Sequence, residues 1–357
     1  MGSHGRIRIK DIARLAQVST GTVDRVLHGR GEVSESNREK INKIIHDLKY
    51  KPNILARSLA GKQDIRLASV LPDYVAGAYW EMPGSGMDKA LTELSLFRLT
   101  LDRYFFDLSD PASFENAAAA ALSTLPDGVI MAPMFPGPAA AFSDRLTEAG
   151  IPYVYIDSSL ASGKPLAYYG QHSYRSGYAL AHLLLGGLQA GAELFLFHGA
   201  SPEEETNQSR QRSEGFAGYL RQEAVAGKYT IVDAYLPMLS EAESDRVLAQ
   251  LWEAHPRVCG AAVLNSRVFQ ISGFLERSGR TGIRLAGYDL LPASVEALRR
   301  GTVSWLISQR PQEQGYLAVQ ALYSKLLLDR DVRMVQYMPL DLLNRVNIDF
   351  YVELLSG

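Results

Sequence analysis

From Arg66 onward the chain alternates two kinds of segment, and that alternation constrains its fold more than any other feature. Short β-rich runs, "RLASVLP", "RLTLDRYFF", "DGVIMAP" and "PYVYID", are separated by amphipathic stretches. After a helical stretch at about residues 173–190, the runs "ELFLFHG", "YTIVDAYL", "GAAVLN" and "IRLAGYD" repeat the scheme. Strands that alternate with helices pair in parallel, so the expected body is parallel sheets sandwiched by helices. Two sets of the pattern imply two similar α/β lobes with a cleft between them. Ligands of such folds bind beyond the carboxyl ends of the strands. Several polar residues stand at those ends: Asp157 closes "PYVYID", Asn265 closes "AAVLN", Asp289 closes "RLAGYD", and Gln309 follows "VSWLIS". Tyr74, Tyr79 and Trp80 follow the first strand, where aromatic rings suit stacking on a sugar face.

The first 62 residues are of another kind. They carry 13 Lys and Arg against 6 Asp and Glu, whereas the remaining 295 carry 24 against 33. The overall net charge of −2 therefore hides a basic head on an acidic body. Such a head is expected to meet a polyanion.

The head also has helical periodicity. Ile9, Ile12, Ala13 and Ala16 mark a first helix, and Ser19 is placed to cap a second that runs to about Leu27. Ser34 is placed to cap a third, with Ile41, Ile44, Ile45 and Leu48 as its apolar stripe. Two short helices across a tight turn, braced by a third, form a helix-turn-helix unit. Its second helix enters the major groove with N-terminal residues against base edges. Here those residues are small, Thr20 and Gly21, so the backbone can approach closely. Arg25, one turn later, can reach guanine or a phosphate.

Other classes lack support in the sequence. The basic "MGSHGRIRIK" has no apolar core after it, and the apolar runs are shorter than a membrane span, so a cytoplasmic chain with no membrane partner is expected. A single cysteine, Cys259, in the apolar run "RVCGAAVL", fits a buried inert thiol in a reducing compartment. "GSGMDKA" has two glycines of a dinucleotide loop but Lys89 at the third position. There is no P-loop, HExxH, CxxC or GxSxG, and the seven histidines lack metal-ligand spacing. No catalytic residue, cofactor or metal is expected. A solute-binding protein or a sugar-modifying enzyme on the same two-lobed body is the alternative, and the basic head opposes both.

The head resembles the LacI/GalR family of bacterial transcription regulators. It matches D-I-A-x-x-A-x-V-S-x-x-T-V-x-R-V-L from Asp11, V-S-x-x-x-R-x-K-I from Val33, and Y-x-P-N-x-x-A-R-S-L-A-G from Tyr50. The resemblance implies a regulator, chiefly a repressor, that binds a pseudo-palindromic double-stranded operator as a homodimer. Thr20 and Gly21 would read bases, with Ser19, Thr22 and Arg25 as neighbouring contacts. Asn53, Ala56 and Leu59 would belong to a hinge helix whose leucine wedges into the minor groove. Asp24 departs from the family's serine. It either pairs with Arg25 or Arg14, or accepts from a cytosine amine.

For the body the resemblance implies a periplasmic-binding-protein-like fold holding a small effector, a sugar or sugar acid, between its lobes. Arg212, in the family's R-x-x-G-F, would line the cleft with Asn265, Asp289 and Gln309. His172 replaces an aspartate usual before the next helix. That points either to an effector bearing an acid or phosphate, or to a structural histidine. The expected divisions are a helix-turn-helix head at 6–50, a hinge at 51–62 and the two-lobed effector and dimerisation body at 63–357, with lobe crossings near 162, 291 and 325.

Overall fold

The structure, a computed structural model, describes residues 9–27, 31, 33–48, 64–199, 206–223, 227–236 and 240–356. The hinge residues Asn53, Ala56 and Leu59 lie outside them. The chain divides into two compact units, Met1–Gln63 and Asp64–Gly357.

In the first unit, α1 (Ile9–Ala16), α2 (Thr20–Leu27) and α3 (Glu35–Asp47) enclose a small core of Ile12, Ala13, Ala16, Val23 and Ile41. Gln17, at φ 59°, makes the tight turn between the first two helices. The Ser19 hydroxyl then accepts from the Thr22 amide at 3.1 Å, capping α2 as its position implied. Ser34 stands at the start of α3, but its side chain makes no capping bond.

The second unit holds two six-stranded sheets. The first contains β1 (Ile65–Pro72), β2 (Leu99–Phe106), β3 (Gly128–Met131), β4 (Tyr153–Ile156), β5 (Ala167–Gly170) and, late in the chain, β11 (Val335–Tyr337), in the order β11-β5-β4-β3-β1-β2. The second contains β6 (Glu193–His198), β7 (Thr230–Tyr235), β8 (Val258–Val263), β9 (Arg284–Tyr288), β10 (Trp305–Ser308) and β12 (Asp341–Leu343), in the matching order β12-β10-β9-β8-β6-β7. Strands β3 and β4 are buried at every residue, as expected where helices cover both faces of a parallel sheet. One pairing departs from the all-parallel expectation: β12 runs antiparallel to β10. The chain reaches β12 directly from β11 in the other lobe, without the helix that a parallel return needs.

The lobes exchange chain three times, at 171–172, 309–310 and 338–340. These crossings fall later than 162, 291 and 325. Ser162 lies in the link between β4 and β5 of one sheet, Leu291 caps α11 (Pro292–Arg300) between two strands of the other, and Lys325 lies inside α12 (Pro311–Leu328). Loop-forming composition marks where an element ends, and an ending does not reveal whether the next element joins the same lobe.

Each of the first two crossings leads into a helix that packs against one of the lobe it enters. From β5 the chain enters α7 (Ser173–Leu185), which packs on α8 (Asn207–Gln222). From β10 it enters α12, which packs on α4 (Glu81–Glu93). Both pairs touch backbone to backbone through glycine. A Cβ on Gly177 would strike the Arg212 carbonyl, and one on Gly215 would strike that of Tyr174. Gly86 and Gly315 do the same between α4 and α12, against Gln312 and Pro83. Backbone cannot yield as a flexible side chain can, so Gly215→Ala is expected to destabilise the body by about 3 kcal/mol. A urea titration with an unchanged midpoint would contradict this close approach. The remaining helices, α5 (Pro111–Ser123), α6 (Pro136–Glu148), α9 (Glu241–Ala254), α10 (Val268–Arg277) and α13 (Ile348–Ser356), complete the outer layers. Among the described residues no helix is long and apolar enough to cross a membrane.

Candidate functional site

The matching strand orders make β4 and β9 equivalent, and each ends in a buried aspartate with positive φ: Asp157 at 65° and Asp289 at 70°. Aspartate tolerates this region better than most side chains, and such positions concentrate at ligand sites. The equivalent strands β5 and β10 are each followed by a buried glutamine on a crossing, Gln171 and Gln309.

Close enough to act electrostatically on both aspartates lies Arg212, only 1% exposed. It projects from α8, whose first turn is capped by Thr206 accepting from the Ser209 amide at 3.2 Å. One end of its guanidinium donates to the Leu264 carbonyl at 2.7 Å, the other to Gln309 Oε1 at 2.6 Å. Its plane sits 3.7 Å over the centre of the Tyr288 ring. The Tyr288 hydroxyl accepts from Ser176 at 2.7 Å. Arg212 Nε is buried and has no partner.

Gln309 connects the site. Its amide nitrogen lies 3.1 and 2.9 Å from the two Asp289 oxygens, and its Oε1 also accepts from Gln208 at 3.0 Å. Gln314 donates to the Gln309 carbonyl at 2.9 Å and accepts from the Asp157 amide at 2.9 Å. Tyr79 donates to Asp157 Oδ1 at 2.6 Å, and Trp80 meets the Tyr79 ring edge-on at 5.1 Å.

Two buried carboxyl groups therefore feel the charge of one buried guanidinium. Burial pushes the Asp289 carboxyl up to about 7, against the opposing pull of Arg212 and the Gln309 hydrogen bond. Burial raises Asp157 too, against the hydrogen bond from Tyr79 and the charge of Arg212. Tyr79 is held well above its ordinary value, first by burial and then by the Asp157 charge.

The structure thus brings together Tyr79, Asp157, Arg212, Asp289 and Gln309, with Trp80 against Tyr79. It places three expected residues differently. Tyr74 packs edge-on against Phe105 at 5.8 Å, at the β1–β2 side of the first lobe. Asn265 donates to the His198 carbonyl at 3.2 Å and accepts from the Arg267 amide at 3.0 Å, so local backbone occupies its amide. His172 is exposed at the start of α7, its ring 4.9 Å from that of Tyr337. Its ring packs on Tyr337 and not on any of the residues that bond Arg212. Sequence reading missed Gln208, Gln314, Ser176 and Tyr288. Gln208 lies four residues before Arg212, hence on the same helix face.

In the head, Ser19, Thr20, Gly21 and Arg25 are exposed and Thr22 is half-buried. The Arg25 Nε donates to the Gly21 carbonyl at 3.2 Å, and Arg14 lies 3.9 Å from Asp11.

Residues 8–53 match the family model of bacterial regulatory proteins, lacI family, and residues 68–328 match that of the periplasmic binding protein domain. A solved protein from Bacteroides fragilis, assigned as a LacI transcriptional regulator, is 35% identical and superposes with a TM-score of 0.77, covering 81% of this chain and all of its own. The chain belongs to the lacI family of bacterial regulatory proteins. The ribose operon repressor of Halalkalibacterium halodurans is 26% identical to this lacI-family chain over 80% of both. Catabolite control protein A of Streptococcus mutans is 39% identical, but the match spans only 26% of this chain and 27% of that protein. The glucose-galactose binding protein GanP of Geobacillus stearothermophilus, 20% identical, shares the body's fold with a TM-score of 0.70 over 80% of this chain and 99% of its own.

Proposed function

We propose that this chain is a transcriptional repressor whose grip on DNA is set by a neutral sugar held between the two lobes. The observation that carries the ligand assignment is Arg212. A buried guanidinium that keeps one N–H unpartnered, near two carboxyl groups and beside aromatic rings, offers donors and acceptors at the spacing a polyol presents. One arginine already faces Asp157 and a partly ionised Asp289, so a further anion would enter against their charge. That favours a neutral sugar over a sugar acid or phosphate. The name of one relative, a ribose operon repressor, agrees with a sugar as effector.

The reading makes the protein a cytoplasmic homodimer without catalytic activity, on a pseudo-palindromic operator, since two-fold protein symmetry is mirrored in the DNA. Ser19, Thr20, Gly21, Thr22 and Arg25 face the major groove, and Asn53, Ala56 and Leu59 the minor groove. Arg25→Ala is expected to weaken operator binding by ~1–3 kcal/mol, with a smaller loss on random DNA. Fluorescence anisotropy on both DNAs checks this, and equal losses would reduce Arg25 to a phosphate contact. The function as a whole is tested by a thermal-shift panel of neutral monosaccharides, followed by a mobility-shift assay with any sugar that raises Tm. If no neutral sugar raises Tm while a sugar phosphate does, the ligand assignment fails.

A further inference from the structure

Beside the first crossing lies a pocket of about 320 Å³ that includes none of Tyr79, Asp157, Arg212 or Asp289. Ser159 and Tyr337 line it from the first lobe, Gln211 and Glu214 from the second, and Gln171 and His172 from the crossing itself. It borders the Arg212 site through Tyr168, whose hydroxyl donates to the Asp157 carbonyl at 3.2 Å, but it opens on another face of α8. At 3.6 residues per turn, Gln211 and Glu214 share one face of α8, while Arg212 lies roughly 100° round from the first and 160° from the second. One helix thus presents one face to the Arg212 cluster and another to the pocket.

Gln171 gives the pocket its chemistry. It is 1% exposed, and its amide nitrogen donates to the carbonyls of Ser308 at 2.7 Å and Pro339 at 3.0 Å. Those two bonds join the three crossings and fix which end of the amide is oxygen. Its Oε1 is left buried with no partner, an acceptor that a ligand donor would satisfy. The carboxylate of Glu214 adds acceptors. The tilted pair of His172 and Tyr337, 4.9 Å apart at 34°, adds a flat face at the rim.

We infer that this pocket is a second ligand site, taking a small neutral ring polyol that bridges the lobes at their first crossing. Its hydroxyls would donate to Gln171 Oε1 and Glu214 while its C–H face lies on the aromatic pair. An anion is disfavoured by the orphan Gln171 oxygen, which can only accept. A cation gains little, because Glu214 is exposed and its charge is screened. The volume falls at the lower end of small-molecule sites, as a single ring requires. A ligand that touches both lobes favours whichever lobe arrangement keeps the pocket intact, and so modulates the response to the deeper site.

The test uses the full chain labelled with 3-fluorotyrosine, the Tyr337 resonance being assigned by Tyr337→Phe. D-glucose, D-ribose and myo-inositol are titrated at millimolar concentrations into the wild-type protein and into Arg212→Met, in which the deeper site is disabled. Asp289→Asn replaces the latter if it does not fold. The expected result is a saturable shift of the Tyr337 signal with at least one probe in both proteins, weakened at least tenfold by Glu214→Ala. Three results would overturn the proposal: no probe shifts the signal, the shift vanishes when the deeper site is disabled, or Glu214→Ala leaves it unchanged. Failure of the deeper site alone would remove the sugar-induced rise in Tm contributed by Arg212 and leave the Tyr337 response standing, so the two readings fail separately.

Discussion

Arg212→Met is expected to abolish the response to sugar and to destabilise the body by about 3–5 kcal/mol, the usual cost of removing one member of a buried charged cluster. The side chain is buried, stacked on Tyr288, and bonded to both Leu264 and Gln309. Without it Asp157 and Asp289 remain in the interior with no guanidinium near them. The loss should be read by urea denaturation, because a fall in Tm would otherwise be confused with lost ligand binding. A double-mutant cycle isolates the cause. Adding Asp289→Asn to Arg212→Met replaces the carboxyl that Gln309 links to the guanidinium, so the double variant should lose less than the sum of the single losses. Strict additivity would show that the two side chains do not interact through Gln309. Operator binding by folded Arg212→Met protein should persist, since the head forms its own core.

The pH dependence of stability should carry the signature of Asp289. Its carboxyl is raised from 3.8 in the ordinary state to about 7 in the folded protein, chiefly by burial. The folded state therefore binds more protons than the unfolded state in this interval, and stability falls as pH rises. This contribution is fully present below the ordinary carboxylate value and is lost as pH passes through about 7. At roughly 1.4 kcal/mol per pH unit, the swing is on the order of 4 kcal/mol. Asp289→Asn, neutral throughout, should flatten that slope of the sugar-free protein. A wild-type stability that rises across the interval, or an equally steep slope in the variant, would contradict the assignment.

Much of this was legible in the sequence because the physics is local. The head's helices follow from apolar spacing, and the sheets follow from strands that alternate with helices. Asp157, Asp289 and Gln309 were visible because strand ends are where a parallel sheet presents its ligand groups. The crossings were not visible, because lobe membership is decided by which helix a segment packs on. That packing rests on glycine contacts such as Gly177 with Arg212 and Gly315 with Pro83. A signal for them was nevertheless present: "QHSYRSGY" and "QRPQEQGY" repeat a glutamine six residues before a glycine and tyrosine. Each copy begins at a crossing and runs into the helix beyond it. That repeat would also have identified Gln171. His172 misled because its neighbour in sequence, Gln171, turns inward while the imidazole turns outward onto Tyr337.

In the proposed function, the ligand between the lobes and the operator at the head are linked through the arrangements of one protein. The most direct test is reciprocal. Operator affinity is measured with and without a saturating neutral sugar identified by thermal shift, and the affinity for that sugar is measured on free and operator-bound protein. Linkage requires the two ratios to be equal. In the wild type the sugar should change operator affinity by the same factor by which the operator changes sugar affinity, with both factors collapsing to one in Arg212→Met. A sugar that binds through Arg212 yet leaves operator affinity unchanged would contradict this linkage.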